Sequence, residues 1–259
     1  KIKMNQWAFI LGASSGIGAK IAIELAKKGL NIYGVYLRKP AGHIEKLIEE
    51  ISQYNVQVIF KKINAANSDS RIEVIDELNA IEKINIKIFV HSLAFGALKP
   101  MININSTDRL NKKHIDMTLD VMSNTLIYWT QDLLDNKLIN KGSQIISMTS
   151  AGSQKQWESY GAVSMAKAAL ESASRQLAFE LAPYKIACNA IQAGVTITPA
   201  LEKIPGYETM INNAKNTNPH KCLTSTKNIA EAVTLLGLSN NYWLTGNTIK
   251  VDGGESLTN

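Results

Sequence analysis

The sequence predicts an α/β fold built on a doubly wound parallel sheet. Short β-branched runs alternate with longer segments whose apolar residues fall at helical spacing. A glycine-rich turn, Gly12-Ala13-Ser14-Ser15-Gly16-Ile17-Gly18, joins the first run to the first helical segment. A β-α-β alternation buries a parallel sheet between two helical layers.

Strands are expected at 7–11, 31–36, 56–60, 86–91, 144–147, 186–191 and 248–251. Between them, helical patterns run over 16–29, 44–54, 71–82, 114–136, 157–181 and 227–238. In the first, Ile17, Ile21 and Leu25 recur every fourth residue, one stripe of an amphipathic helix. No linker, repeat or low-complexity tract divides the chain, so residues 1–259 are expected to form one domain. The stretch 192–226 breaks the rhythm: it reads as irregular and holds Pro199, Pro205 and Pro219. Such an excursion serves either as a substrate lid, here 195–220, or as a plain surface loop.

Composition narrows the function classes. The 259 residues carry 28 Lys+Arg against 22 Asp+Glu, a net charge of +6, with 45% apolar and 19% charged residues. Those values exclude a disordered chain. No apolar run approaches the length of a membrane span. The start, Lys1-Ile2-Lys3-Met4, enters an apolar run directly, so no signal peptide is expected. Two cysteines, Cys188 and Cys222, cannot form a disulfide framework, and a cytoplasmic location fits them. The lysine pairs 27–28, 61–62 and 112–113 are scattered along the chain, which reads as solvated surface rather than a nucleic-acid footprint. His91, His114 and His220 lack metal-ligand spacing, so no metal is expected, and His91 reads as a structural histidine.

The glycine turn is an anion site by construction. Free N–H groups and the helix dipole face a phosphate, and glycines permit tight turning and close backbone approach. Gly12, Ser14, Ser15, Gly16, Ile17 and Gly18 are therefore candidate dinucleotide ligands. Where the second strand ends, an acid would hold the ribose 2′-hydroxyl of NAD, and a cation would accept the 2′-phosphate of NADP. This chain has Arg38-Lys39 there and no acid. NADPH is the expected cofactor, with NADH possible.

The glycine pattern, the segment Ser159-Tyr160-Gly161-Ala162-Val163-Ser164-Met165-Ala166-Lys167 and the closing Val251-Asp252-Gly253-Gly254 resemble the short-chain dehydrogenases/reductases along essentially the whole chain. Most of that superfamily carries Tyr-x3-Lys. Here the residue four before Lys167 is Val163, and the nearby tyrosine is Tyr160, giving Tyr-x6-Lys. That spacing, with His91-Ser92-Leu93-Ala94-Phe95-Gly96, Met122, and Gly152 eight residues before Tyr160, resembles a divergent enoyl-acyl carrier protein reductase. Many of those enzymes have a second tyrosine where this chain has Ser150.

Seven residues advance a helix by about 10.5 Å and return to nearly the same face, against about 6 Å for four residues. Tyr160 is thus expected at or before the start of its helix. In an enoyl thioester, hydride adds at Cβ while charge develops on the thioester oxygen, two carbons away, and a displaced tyrosine hydroxyl suits that oxygen. The resemblance implies that Tyr160 bonds this oxygen and that Lys167 holds the nicotinamide ribose. It places Asn64 beside the adenine, Ser92, Leu93 and Ala94 along the cofactor cleft, Gly194 and Thr196 near the nicotinamide, and Thr198 at the pyrophosphate. Phe95, Ser150, Ile197 and Leu201 are candidate substrate contacts. Trp157 either walls the cleft or only packs. The resemblance further implies reduction of enoyl groups on acyl carrier protein or coenzyme A, NADPH as cofactor, and a homotetramer. The rival readings are a carbonyl or alcohol oxidoreductase and an NADP-binding regulator without turnover.

Overall fold

Strict alternation along the first strand, β1 (Asn5–Leu11), sends its side chains into two different cores. Trp7, Phe9 and Leu11 enter one layer, with Tyr33, Phe89 and Trp129. Ala8 and Ile10 enter the other, with Ile32, Ile88 and Ile146. All of these are buried, and each large apolar side chain contributes roughly 1.5–3 kcal/mol by leaving water. A strand apolar on both faces must be central, and the structure places it so. This computed structural model describes residues 5–257; the Lys1–Met4 start lies outside them.

The remaining strands are β2 (Asn31–Tyr36), β3 (Val58–Lys62), β4 (Ile84–His91), β5 (Gln144–Ser150), β6 (Ala187–Ala193) and β7 (Thr248–Val251). They form one sheet in the order β3-β2-β1-β4-β5-β6-β7, every pair parallel. The helices are α1 (Gly16–Ala26), α2 (Ala41–Ser52), α3 (Ser68–Asn79), α4 (Lys112–Leu119), α5 (Thr125–Asp135), α6 (Gly161–Leu181), α7 (Tyr207–Thr217) and α8 (Thr226–Gly237). This is the doubly wound Rossmann-type architecture that the alternation predicted. No helix among the described residues is long and apolar enough to cross a membrane.

Three elements differ from the pattern. The third strand is displaced toward the lysines because Asn55 turns with φ +56° and Lys61 pairs across the edge with Val35 while reaching Glu73 and Glu77. The long helical pattern at 114–136 is split by a π-helical turn, Asp120–Asn124, which buries Met122 against Val163 and Ala166. The stretch 192–226 is not irregular: it contains a 3₁₀ turn, Leu201–Lys203, and the helix α7. The prolines marked turns, and the polar face of α7 concealed its period, since Ala214 is its one buried residue.

Candidate active site

Chain order reverses between β1 and β4, which opens a crevice at their carboxyl ends. The glycine turn leaves β1 on one side, and Ser92 to Phe95 leave β4 on the other. Gly12 holds the two lips together: with φ +80°, a Cβ there would lie 2.3 Å from the Ser92 carbonyl oxygen. Ser15 caps α1 without a side-chain bond, so its hydroxyl does not occupy the first-turn N–H groups.

A cavity of about 970 Å³ runs from this crevice to the start of α6. Its wall includes Gly12, Ser14, Ser15, Gly16, Ile17, Arg38, Lys39 and Asn64 toward the β2 end, then Ser92, Leu93, Ala94 and Phe95. Ser150, Tyr160, Lys167, Gly194, Thr196, Thr198 and Leu201 line the remainder. Two expected residues lie elsewhere. Gly18 is beneath the turn, where a Cβ would meet the Gly12 carbonyl oxygen at 2.2 Å, so it serves helix–strand packing. Ile197 is 57% exposed and outside the wall, because Thr196 and Thr198 on either side turn inward.

Tyr160 is the residue that caps α6, as its spacing to Lys167 predicted. The left-handed turn at Ser159, φ +59°, stops the helix from starting earlier. Gly152 makes room for the phenol: a Cβ there would lie 2.4 Å from the Tyr160 ring and 3.2 Å from Ser150 Oγ. Ser150 Oγ is buried and makes no well-formed hydrogen bond. Burial raises the Tyr160 pKa, and the nearby Ser150 hydroxyl partly offsets that rise. Val163 is buried, and Met122 and Tyr160 pack in the same small cluster.

Lys167 is buried, and its Nζ donates to the Met148 carbonyl oxygen at 2.6 Å. Loss of solvation lowers its pKa to about 8, against the opposing charge of Glu171. His91 is buried beneath the site with Nε2 2.8 Å from Thr125 Oγ1. Burial, and then the charge of Lys167, push its pKa down to about 3, so it stays neutral and is no base at ordinary pH.

A family model described as enoyl-(acyl carrier protein) reductase matches residues 12–256. The chain belongs to that family. It is an NAD(P)H-dependent oxidoreductase of the short-chain dehydrogenase/reductase type. It is 31% identical over 191 residues to the enoyl-(acyl-carrier-protein) reductase (NADH) FabI of Enterococcus faecalis, covering 74% of this chain and 75% of that one. It is 27% identical over 255 residues to 1-cyclohexenylcarbonyl-CoA reductase of Streptomyces collinus, covering 98% and 88%. The structure of the enoyl-(acyl-carrier-protein) reductase (NADH) of Aquifex aeolicus superposes with a TM-score of 0.84 over 98% of this chain and 97% of that one; at 23% identity it shows the shared fold.

The structure of the reductase also shows contacts that the sequence left open. Trp157 both walls the cavity and donates from Nε1 to the Pro205 carbonyl oxygen at 2.8 Å. Asn218, beyond the other end of α7, donates to the Asp252 carbonyl oxygen at 2.9 Å. The segment over the cavity is thus tied at both ends. Phe95 lies under the Arg38 guanidinium, 3.3 Å from ring centroid to Cζ. Sequence reasoning missed His43, whose Nε2 lies 2.7 Å from the Ser14 carbonyl oxygen and braces the glycine turn. An exposed histidine on a helix gives no periodic signal.

Proposed function

We propose that this reductase reduces the trans-2 double bond of enoyl thioesters on acyl carrier protein or coenzyme A, in fatty-acid synthesis, with NADPH. The observation that carries this reading is Tyr160 capping α6 seven residues before buried Lys167, with apolar Val163 where a carbonyl reductase of the superfamily would have its tyrosine.

The residues fit a nicotinamide dinucleotide. The α1 N-terminus offers backbone donors to a pyrophosphate, Arg38 and Lys39 offer cations at the ribose end, and Lys167 offers an ammonium. The cofactor, when bound, supplies the hydride. Tyr160 donates a hydrogen bond to the thioester oxygen as charge develops there, and its raised pKa keeps it a donor at neutral pH. Ser150 Oγ, buried without a well-formed bond, is a second donor to the same oxygen. Lys167 holds the nicotinamide ribose and places positive charge beside the developing anion. Leu98, Met117, Val121 and Met122 give the acyl chain an apolar wall. Residues 195–220 act as a mobile lid that opens by releasing the Trp157–Pro205 hydrogen bond, with Leu201, Ile204 and Met210 toward the chain. The whole of 1–259 works as one domain, in the cytoplasm, as a homotetramer.

Purified protein given NADPH and crotonyl thioester is expected to oxidise the cofactor, and acetoacetyl thioester is expected to be a poor substrate. Turnover of the ketone alone would establish the carbonyl-reductase reading instead. Cofactor binding without turnover of either would establish the regulator.

Cofactor choice rests on Arg38. Its guanidinium stacks on Phe95 at the cavity wall, which supports a contact with a 2′-phosphate. Arg38→Ala is expected to raise the NADPH KM about tenfold or more while leaving the NADH KM nearly unchanged, since a charge-assisted contact contributes about 1.5–3 kcal/mol. An unchanged ratio of the two KM values would remove Arg38 from the 2′-phosphate role.

A further inference from the structure

One buried charge near the site is not used by the reaction described above. Glu171 lies one helical turn beyond Lys167 on α6, and both side chains are buried, at 7% and 6% exposure. Residues four apart on a helix share a face, with Cβ atoms about 5–6 Å apart. Thr149, on β5 between Met148 and Ser150, donates from Oγ1 to Glu171 Oε1 at 2.7 Å. Met148 accepts from Lys167 Nζ, so neighbouring β5 residues hold the lysine and the carboxylate. Thr149 and Lys167 line the cavity, and Glu171 lies behind them.

A carboxylate is costly to bury, and a single hydroxyl does not offset that cost. A cation one turn away on the same helix face offsets part of it. The reverse holds for Lys167, whose Nζ is hydrogen-bonded to a neutral carbonyl oxygen.

We propose that Glu171 is a positioning residue: held by Thr149, it supplies the buried counter-charge that keeps Lys167 an ammonium at the cofactor ribose. This rests on the reductase reading for its consequence in turnover, while the state of Lys167 itself is measurable without substrate. The charged or titratable groups that act on Lys167 or share its stretch of the cavity wall are Glu171 on α6, Tyr160 at the cap of α6 and His91 on β4. His91 is neutral at working pH, and Tyr160 remains a phenol, so Glu171 is the group among them that sets the lysine charge. The sign follows. Burial alone depresses the lysine pKa, Glu171 raises it, and removing that carboxylate brings deprotonation to lower pH.

The test is Glu171→Gln, which keeps the shape and the acceptor for Thr149 and loses the charge. In the full chain with 13C-labelled lysine, the Lys167 Cε resonance, assigned by its loss in Lys167→Met, is followed against pH with NADP⁺ absent and present. Its midpoint is expected to fall by about one unit or more in Glu171→Gln. The alkaline limb of kcat/KM for crotonyl thioester should move down by the same amount, with rates nearly equal at pH 6. A resonance midpoint unchanged within 0.2 units (about a fifth of the smallest expected shift) overturns the proposal. A shifted midpoint in a protein that turns over no thioester supports it and sinks the reductase reading instead. If Glu171→Gln does not fold, Thr149→Val carries the same measurement. Without its donor the carboxylate is no longer held toward Lys167, so the midpoint is expected to fall, and an unchanged midpoint overturns the proposal.

Discussion

Tyr160→Phe is expected to lower kcat for crotonyl thioester by about 10²–10³, or about 2.7–4 kcal/mol of transition-state stabilisation. The substitution removes one oxygen and keeps the ring. The phenyl group still fills the space opened by Gly152 and still packs with Met122 and Val163, so the thermal midpoint should scarcely move. NADPH affinity should stay within about twofold, because the cofactor end of the cavity is built from other residues. The loss should fall on kcat more than on KM, since the thioester oxygen becomes a strong acceptor only as charge develops. Stopped-flow oxidation of NADPH together with a fluorescence titration of cofactor binding separates the two. Equal turnover in the variant would take Tyr160 out of the mechanism. A large loss of cofactor affinity would place its role in the ground state instead.

That prediction draws on parts of the molecule that were legible to different degrees. The sheet was readable because the unbroken apolar run Trp7–Leu11 in β1 and the β-branched run Ile86–Val90 in β4, interrupted by Lys87, are local signals. The Tyr-x6-Lys pair was readable because helical spacing converts directly to geometry, and Tyr160 caps α6 as expected. The π-helical turn was hidden, because one extra residue in a helix changes no pattern over Asp120–Asn124. The helix α7 was hidden by a nearly all-polar face. His43, Thr149 and Glu171 were hidden for a third reason. Each acts through a partner distant in sequence, Ser14 for His43 and Thr149 for Glu171, and no local spacing encodes such a pairing.

Gly12→Ala is the second large effect, and it tests the architecture rather than the chemistry. Two separate costs meet at this position. The backbone sits at φ +80°, where a side chain costs about 1–2 kcal/mol. The added methyl would also lie 2.3 Å from the Ser92 carbonyl oxygen, a backbone atom that cannot rotate away. Ser92 is itself fixed, since its N–H donates to the Leu11 carbonyl oxygen at 2.9 Å. The chain must therefore part the glycine turn from the segment after β4, the two lips of the cofactor crevice. The expected loss is about 2–4 kcal/mol, a fall of roughly 5–15 °C in Tm, with NADPH affinity reduced about tenfold or more. Gly29→Ala separates the two costs. Gly29 has φ +84° with nothing within 4 Å of an added Cβ, so it carries backbone strain without a clash. Differential scanning calorimetry of both variants should rank Gly12→Ala well below Gly29→Ala, and only Gly12→Ala should lose cofactor binding. Equal losses of stability, or NADPH binding intact in Gly12→Ala, would mean that the close approach of Gly12 to Ser92 does not set the crevice.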